Sequence, residues 1–191
     1  MQKTEVMILL YLLQEKENVN KTFRQIAEET GVSLGSVQGR MSELVERGFI
    51  IESAGKRILR KRGTLIDRWA HGYVETFKSK MLLHRFRFIT PEIRHKWNEI
   101  VLGDEACWGG EAAVSLKEGL IQPGQWEIYV KEKANCLIAT GRMIPDEKGD
   151  IFVYKKFWCG DEIPRLVIYG DLLATGDDRC IEVANRLRET L

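Results

Sequence analysis

Apolar positions along this chain change their period twice. Residues 6–13 form the longest apolar run, and Ile8, Leu9 and Leu12 within it share a helical face, with Thr4 placed to cap that first helix. Asn18-Val19-Asn20-Lys21 breaks the pattern. Thr22 then starts a short second helix over 23–29, with Phe23, Ile26 and Ala27 at core spacing and Gly31 as its left-handed end. Val32 plugs the turn, and Ser33 caps a third helix running to about Arg47, in which Val37, Met41, Leu44 and Val45 face inward. Gly48 stops it. The period then falls to two: Phe49-Ile50-Ile51-Glu52 and Lys56-Arg57-Ile58-Leu59 flank Ser53-Ala54-Gly55 as a hairpin. Helix, turn, helix and hairpin in that order predict a winged helix-turn-helix over residues 1–62.

A helical period returns at Thr64, where Leu65, Trp69, Tyr73 and Phe77 recur every four residues. Aromatic residues at that spacing are expected in a core, so residues 63–82 read as a helix linking two domains. From residue 83 to 191 the pattern is mixed. His84-Arg85-Phe86-Arg87-Phe88 alternates like a strand, and Thr90-Pro91-Glu92 is a helix start with Thr as cap and Pro in the first turn. Strand-like stretches follow at 126–130, 136–140, 151–157 and 166–169, with helices at about 111–117 and 178–188. The expected class is α+β: a winged helix followed by a mixed α/β domain.

Charge sharpens this division. The 191 residues carry a net charge of only +1, but residues 1–88 hold 16 Lys/Arg against 10 Asp/Glu while residues 89–191 hold 13 against 18. A basic front and an acidic back predict that the front meets a polyanion. The start of the third helix agrees. Ser33, Leu34, Gly35, Ser36, Gln38, Gly39 and Arg40 are mostly small, polar or basic. Two glycines in a helix each cost about 0.8–1.0 kcal/mol relative to alanine, which calls for a reason. Close approach of double-stranded DNA is one, with Gln38 reading adenine and Arg40 reading guanine or holding a phosphate. Tight helix packing is the other. Lys56, Arg57, Arg60, Lys61 and Arg62 put five positive charges into seven residues at and beyond the hairpin, a source of phosphate affinity.

Other chemistries find less support. Cys107, Cys136, Cys159 and Cys180 form no CxxC pair, as expected of reduced thiols in a cytoplasmic protein. The apolar run at 6–13 is too short for a bilayer, which takes about 20 residues, so no membrane role is expected. His71, His84 and His95 lack metal-ligand spacing, and there is no P-loop or Gly-x-Ser-x-Gly elbow. Gly109-Gly110 before a helix could cradle a phosphate, but Glu111 already places a carboxylate there. The rival reading is a metal-dependent nuclease with Asp104 or Glu111, Glu127 and Lys131 or Lys133 as its acid–acid–lysine set, because Glu127, Tyr129 and Lys131 share a strand face. The favoured expectation is no catalysis, cofactor or metal.

Trp108-Gly109-Gly110-Glu111-Ala112-Ala113, Pro123 followed by Trp126-Glu127-Ile128-Tyr129-Val130, residues 164–169, and Asp171-Leu172-Leu173-Ala174-Thr175-Gly176-Asp177-Asp178-Arg179 together resemble the AbiEi family, antitoxins of type IV toxin–antitoxin (abortive-infection) systems. Ser33-Leu34-Gly35-Ser36-Val37-Gln38 and the Leu65/Trp69/Tyr73 helix are similar to that family's N-terminal winged helix. The resemblance implies a regulator whose front domain binds operator DNA and represses its own operon. Its back domain would oppose a nucleotidyltransferase-like toxin without requiring a stable complex. Reading of paired half-sites by a homodimer is the expected mode.

Overall fold

The computed structural model describes residues 1–191, which divide into two compact units, Met1–Phe77 and Lys78–Leu191. In the first, α1 (Lys3–Gln14) buries nearly every side chain from Glu5 onward. It starts at Gln2 without a side-chain cap, so Thr4 lies inside the helix rather than capping it. A 3-10 turn (Lys16–Asn20) leads to α2 (Phe23–Thr30), whose Thr22 and Gln25 form a reciprocal capping box, and Gly31 ends it in the left-handed region. Next, α3 (Leu34–Glu46) is capped by the Ser33 hydroxyl. It buries Val37, Met41 and Leu44, but Val45 is 48% exposed: the inward stripe is narrower than its apolar residues suggest.

The hairpin forms as expected. β1 (Ile50–Ser53) and β2 (Lys56–Leu59) pair antiparallel, with Ser53 opposite Lys56. Ala54 (φ 50°) and Gly55 (φ 73°) make the two-residue turn, which needs positive φ at both positions to match strand twist. Then α4 (Arg62–Gly72) packs on α1 and runs on through a π-helical turn, Tyr73–Phe77. A spacing of four overshoots an α-helical turn and falls short of the wider π turn. The change of winding keeps Trp69, Tyr73 and Phe77 on one buried side, with Trp69 and Tyr73 rings stacked 4.7 Å apart. Trp69 Nε1 donates to the Val6 carbonyl at 2.9 Å. Most of segment 63–82, expected as a link, is thus core of the first unit.

The second unit is built on a five-stranded sheet in the order β4-β5-β7-β3-β6, with strands β3 (Leu82–Phe88), β4 (Ala106–Gly109), β5 (Trp126–Val130), β6 (Met143–Pro145) and β7 (Ile151–Lys155). Only β5 and β7 run parallel. Short helices α5 (Lys78–Met81), α6 (Pro91–His95) and α8 (Asn135–Ala139) join three longer ones, α7 (Gly110–Glu118), α9 (Arg165–Thr175) and α10 (Asp178–Arg188). Trp126, Ile128 and Val130 on β5 enter an apolar cluster with Phe86, Phe88, Trp97, Trp108, Leu137 and Met143. The intervening Glu127 and Tyr129 are buried as well, so β5 is covered on both faces.

Two expected strands are helices instead. Residues 166–169 belong to α9, where every side chain from Leu166 to Leu172 is buried. A helix buried all round has no polar face, and its apolar run cannot be told from a buried strand. Residues 136–140 fall on α8, which buries only Leu137 and leaves Ile138 exposed.

Candidate nucleic-acid interface

Each cation expected on the DNA face meets either protein or solvent. At the start of α3 the Ser33 hydroxyl lies 2.9 Å from the Ser36 hydroxyl and accepts the Ser36 N–H, so both serines are preorganised at the positive end of the helix. Leu34, Gly35, Gln38 and Gly39 are exposed. A Cβ placed on Gly35 or Gly39 would meet nothing within 4 Å. Tight helix packing therefore does not explain these glycines. They leave the helix backbone bare toward solvent, where a large ligand can approach it closely.

Arg40 does not join them. Its guanidinium pairs with Glu5 at 3.3 Å and also with Glu43, and its side chain is only 16% exposed. Arg68 closes the network, 2.6 Å from Glu5 and 3.4 Å from Glu43. With Arg47 3.2 Å from Glu43 as well, three arginines surround two carboxylates, one of them the largely buried Glu5 of α1, and Arg40 and Arg68 lock α3 to α1 and α4. The sequence expectation of base contact by Arg40 missed this because its partners lie on α1 and later on α3.

The basic segment also splits. Lys56, at the hairpin turn, and Arg60 and Lys61, just after β2, are exposed. Lys61 adopts φ 50° and passes over the Phe49 ring at 5.9 Å. Arg57 instead turns inward: its guanidinium donates to the Lys21 carbonyl at 2.7 Å and the Asn20 carbonyl at 3.3 Å, and covers the Phe23 ring at 5.0 Å. Asn20 returns the grip, accepting the Arg57 N–H and donating to its carbonyl. Arg62 donates to the Leu13 carbonyl near the end of α1, where helix carbonyls lack partners. Two of the five cations therefore fasten the hairpin and α4, while Lys56, Arg60 and Lys61 keep their charges at the surface.

The acid–acid–lysine set considered for a nuclease does not form from its expected members. Lys131 pairs at the surface with Asp161 at 3.3 Å, and Lys133 and Asp104 are exposed. Glu111 is taken by Arg179 at 2.9 Å and by the Gly124 N–H. Glu127 belongs to a different group: Lys78 Nζ donates to both its oxygens at 2.7 and 2.9 Å and lies 2.9 Å from Asp171. The Tyr129 hydroxyl and the Gly110 N–H also donate to Asp171. This cluster is sealed, with Glu127 2% and Asp171 0% exposed. Burial and the neighbouring Asp171 push the Glu127 carboxyl up to about 8, against the pull of Lys78.

Gly109 and Gly110 have their explanation here. A Cβ on Gly109 would sit 2.6 Å from the Tyr129 ring, and one on Gly110 (φ 49°) would sit 2.9 Å from the Glu127 carboxyl carbon. The pair is flat backbone over which the cluster closes. It is not a phosphate cradle, because Asp171 already occupies the Gly110 N–H. Asp177 caps α10 with Asp178 in its first turn. The cluster was missed in the sequence because Lys78 stands 49 residues before Glu127, Asp171 lies further on again, and the three lie on three different elements.

A family model described as transcriptional regulator, AbiEi antitoxin, type IV toxin–antitoxin system matches residues 57–191. A second, described as winged helix-turn-helix DNA-binding, matches residues 1–51. No curated protein and no solved structure matches the chain.

Proposed function

Because the chain belongs to the AbiEi antitoxin family of transcriptional regulators of type IV toxin–antitoxin systems, we propose that it binds the operator of its own operon and represses it. The open start of α3 carries this reading: Gly35, Gln38 and Gly39 lie bare on an exposed helix whose N-terminus is capped by Ser33, a surface shaped for the major groove. Gln38 reads base edges, Ser33 and Ser36 hold phosphate, and Lys56, Arg60 and Lys61 neutralise the backbone alongside. Arg40, Arg57 and Arg62 keep that surface rigid. Two copies read paired half-sites. The second unit supplies the antitoxin activity, opposing a nucleotidyltransferase-like toxin.

The test is a gel-shift titration against DNA from upstream of the operon, repeated across salt concentrations beside random DNA. Sequence-selective binding with a steep salt slope is expected. Binding no tighter than to random DNA would overturn the operator reading.

A further inference from the structure

Lying at the edge of its sheet, β4 pairs with β5 on one side only. No backbone hydrogen bond from Ala106, Cys107 or Trp108 runs to any element on the other side. Along that free edge lies a groove of about 490 Å³, lined by β4, the loop 100–104, Leu116 and Lys117 of α7 and residues 161–163. Its apolar floor is Leu102, Trp108, Ala113 and Ile163. Val101 and Leu116 stand at its walls 84% and 48% exposed, and no other large apolar side chain in the protein is as open as Val101.

The surroundings are acidic. Asp104, Asp161 and Glu162 line the groove and Glu105 adjoins it, against Lys117, Lys131 and, near Cys107, Lys156, which leaves a net charge of −1. Lys117 and Lys131 are held by exposed ion pairs, to Glu162 at 3.4 Å and to Asp161 at 3.3 Å. Such pairs contribute little and yield readily to competing cations.

An unpaired strand edge, an apolar floor and an acidic border together specify an occupant. We propose that the groove takes an extended segment of a partner protein, which adds a strand to β4 and alternates apolar residues with Lys or Arg. Main-chain pairing supplies affinity, alternate apolar side chains settle between Leu102, Leu116 and Ile163, and the cations meet Asp104, Asp161 and Glu162. With four residues in β4, about four or five residues of the partner are fixed. This surface lies wholly in the second unit and does not depend on the operator reading.

A phage-displayed heptapeptide library panned against the full chain tests this. Expected is enrichment of peptides alternating Val, Ile or Leu with Lys or Arg. A labelled peptide from that pool should lose at least tenfold in affinity for the Leu116→Arg protein and for the Asp161→Lys/Glu162→Lys protein, with melting temperatures unchanged because all three side chains are exposed. Methylating alternate backbone nitrogens of the peptide should abolish binding. Enrichment of acidic peptides, equal binding of the methylated peptide, or affinity for the Leu116→Arg protein equal to that for the parent would each overturn the proposal. So would concentration-dependent self-association that Leu116→Arg removes, which would make a second copy the occupant.

Discussion

In the first unit Lys56, Arg60 and Lys61 stand in solvent around a hairpin, whereas in the second Lys78 is sealed against Glu127 and Asp171. The same side-chain chemistry does opposite things in the two places. A solvated cation stabilises the fold hardly at all and remains available to a polyanion. A buried one is committed: with two carboxylates beside a single lysine, the cluster carries an excess negative charge unless a proton is shared. Its worth is therefore felt only when a member is removed. Charge free to act on a partner and charge spent inside the protein can be told apart by which measurement a substitution moves.

The largest effect is expected at the buried end. Lys78→Met leaves Glu127 and Asp171 facing each other without a counter-charge and should destabilise the second unit by about 3–5 kcal/mol. Tryptophan fluorescence in denaturant reads this directly, since Trp97, Trp108, Trp126 and Trp158 all lie in that unit. A loss under about 1 kcal/mol would mean that the cluster is more solvated than its burial implies.

The mirror experiment replaces Lys56, Arg60 and Lys61 together with alanine. Stability should stay within about 0.5 kcal/mol of the parent. DNA affinity should fall about 10- to 100-fold for every sequence alike, and the salt slope should shrink by about 0.9 per lost phosphate contact, near 2.7 for all three. Arg57→Ala should reverse the pattern, lowering the melting temperature of the first unit because it strips the hairpin of its contacts with Asn20, Lys21 and Phe23. If Arg57→Ala changed only DNA affinity, the division between anchoring and phosphate-binding cations would be wrong.

A pH titration tests the cluster without removing the lysine. The folded state holds the Glu127 carboxyl up to about 8, against 4.5 for an ordinary glutamate. Between those values the folded protein keeps a proton that the unfolded chain has already released. The stabilisation is complete below the ordinary carboxylate range and is lost progressively as pH rises toward 8. Tyr154, whose ring lies 5.3 Å from Lys78 Nζ, is pushed above the ordinary phenol range by burial, so it stays neutral across this window. Glu127→Gln should flatten the decline in stability between pH 5 and 8 relative to the parent protein. A decline of the same slope in Glu127→Gln would locate the proton elsewhere.

How much of this could be read in the sequence follows the same contrast. The first unit was legible almost residue by residue, because caps and turns are local: Thr22, Gly31, Ser33 and Gly55 do what their identities predict within four residues of themselves. The exposed face of α3 was legible for the same reason. What failed there was the fate of Arg40, Arg57 and Arg62, since Glu5, Asn20 and Leu13 reach them from as far as 49 residues away. In the second unit α9 passed for a strand because burial on every side erased its periodicity, and β4 and β6 are too short to show one. Gly109, Gly110, Glu127, Tyr129 and Asp171 all stand within stretches that carried the family resemblance, yet only the tertiary structure shows that they meet.

The smallest effect is the sharpest test of the DNA face. Gly39 lies mid-helix, exposed, with helical φ and empty space where a Cβ would go. Gly39→Ala should therefore stabilise the first unit by about 0.5–1 kcal/mol, since alanine loses less backbone freedom in a helix. If the bare backbone exists to let DNA close in, the added methyl should at the same time weaken operator binding severalfold while leaving binding to random DNA nearly unchanged. A gain in one property against a loss in the other cannot arise from damage to the fold. Gly39→Ala that is more stable and binds the operator as tightly as before would instead place the base-reading surface nearer Ser33, with Gly39 outside the groove.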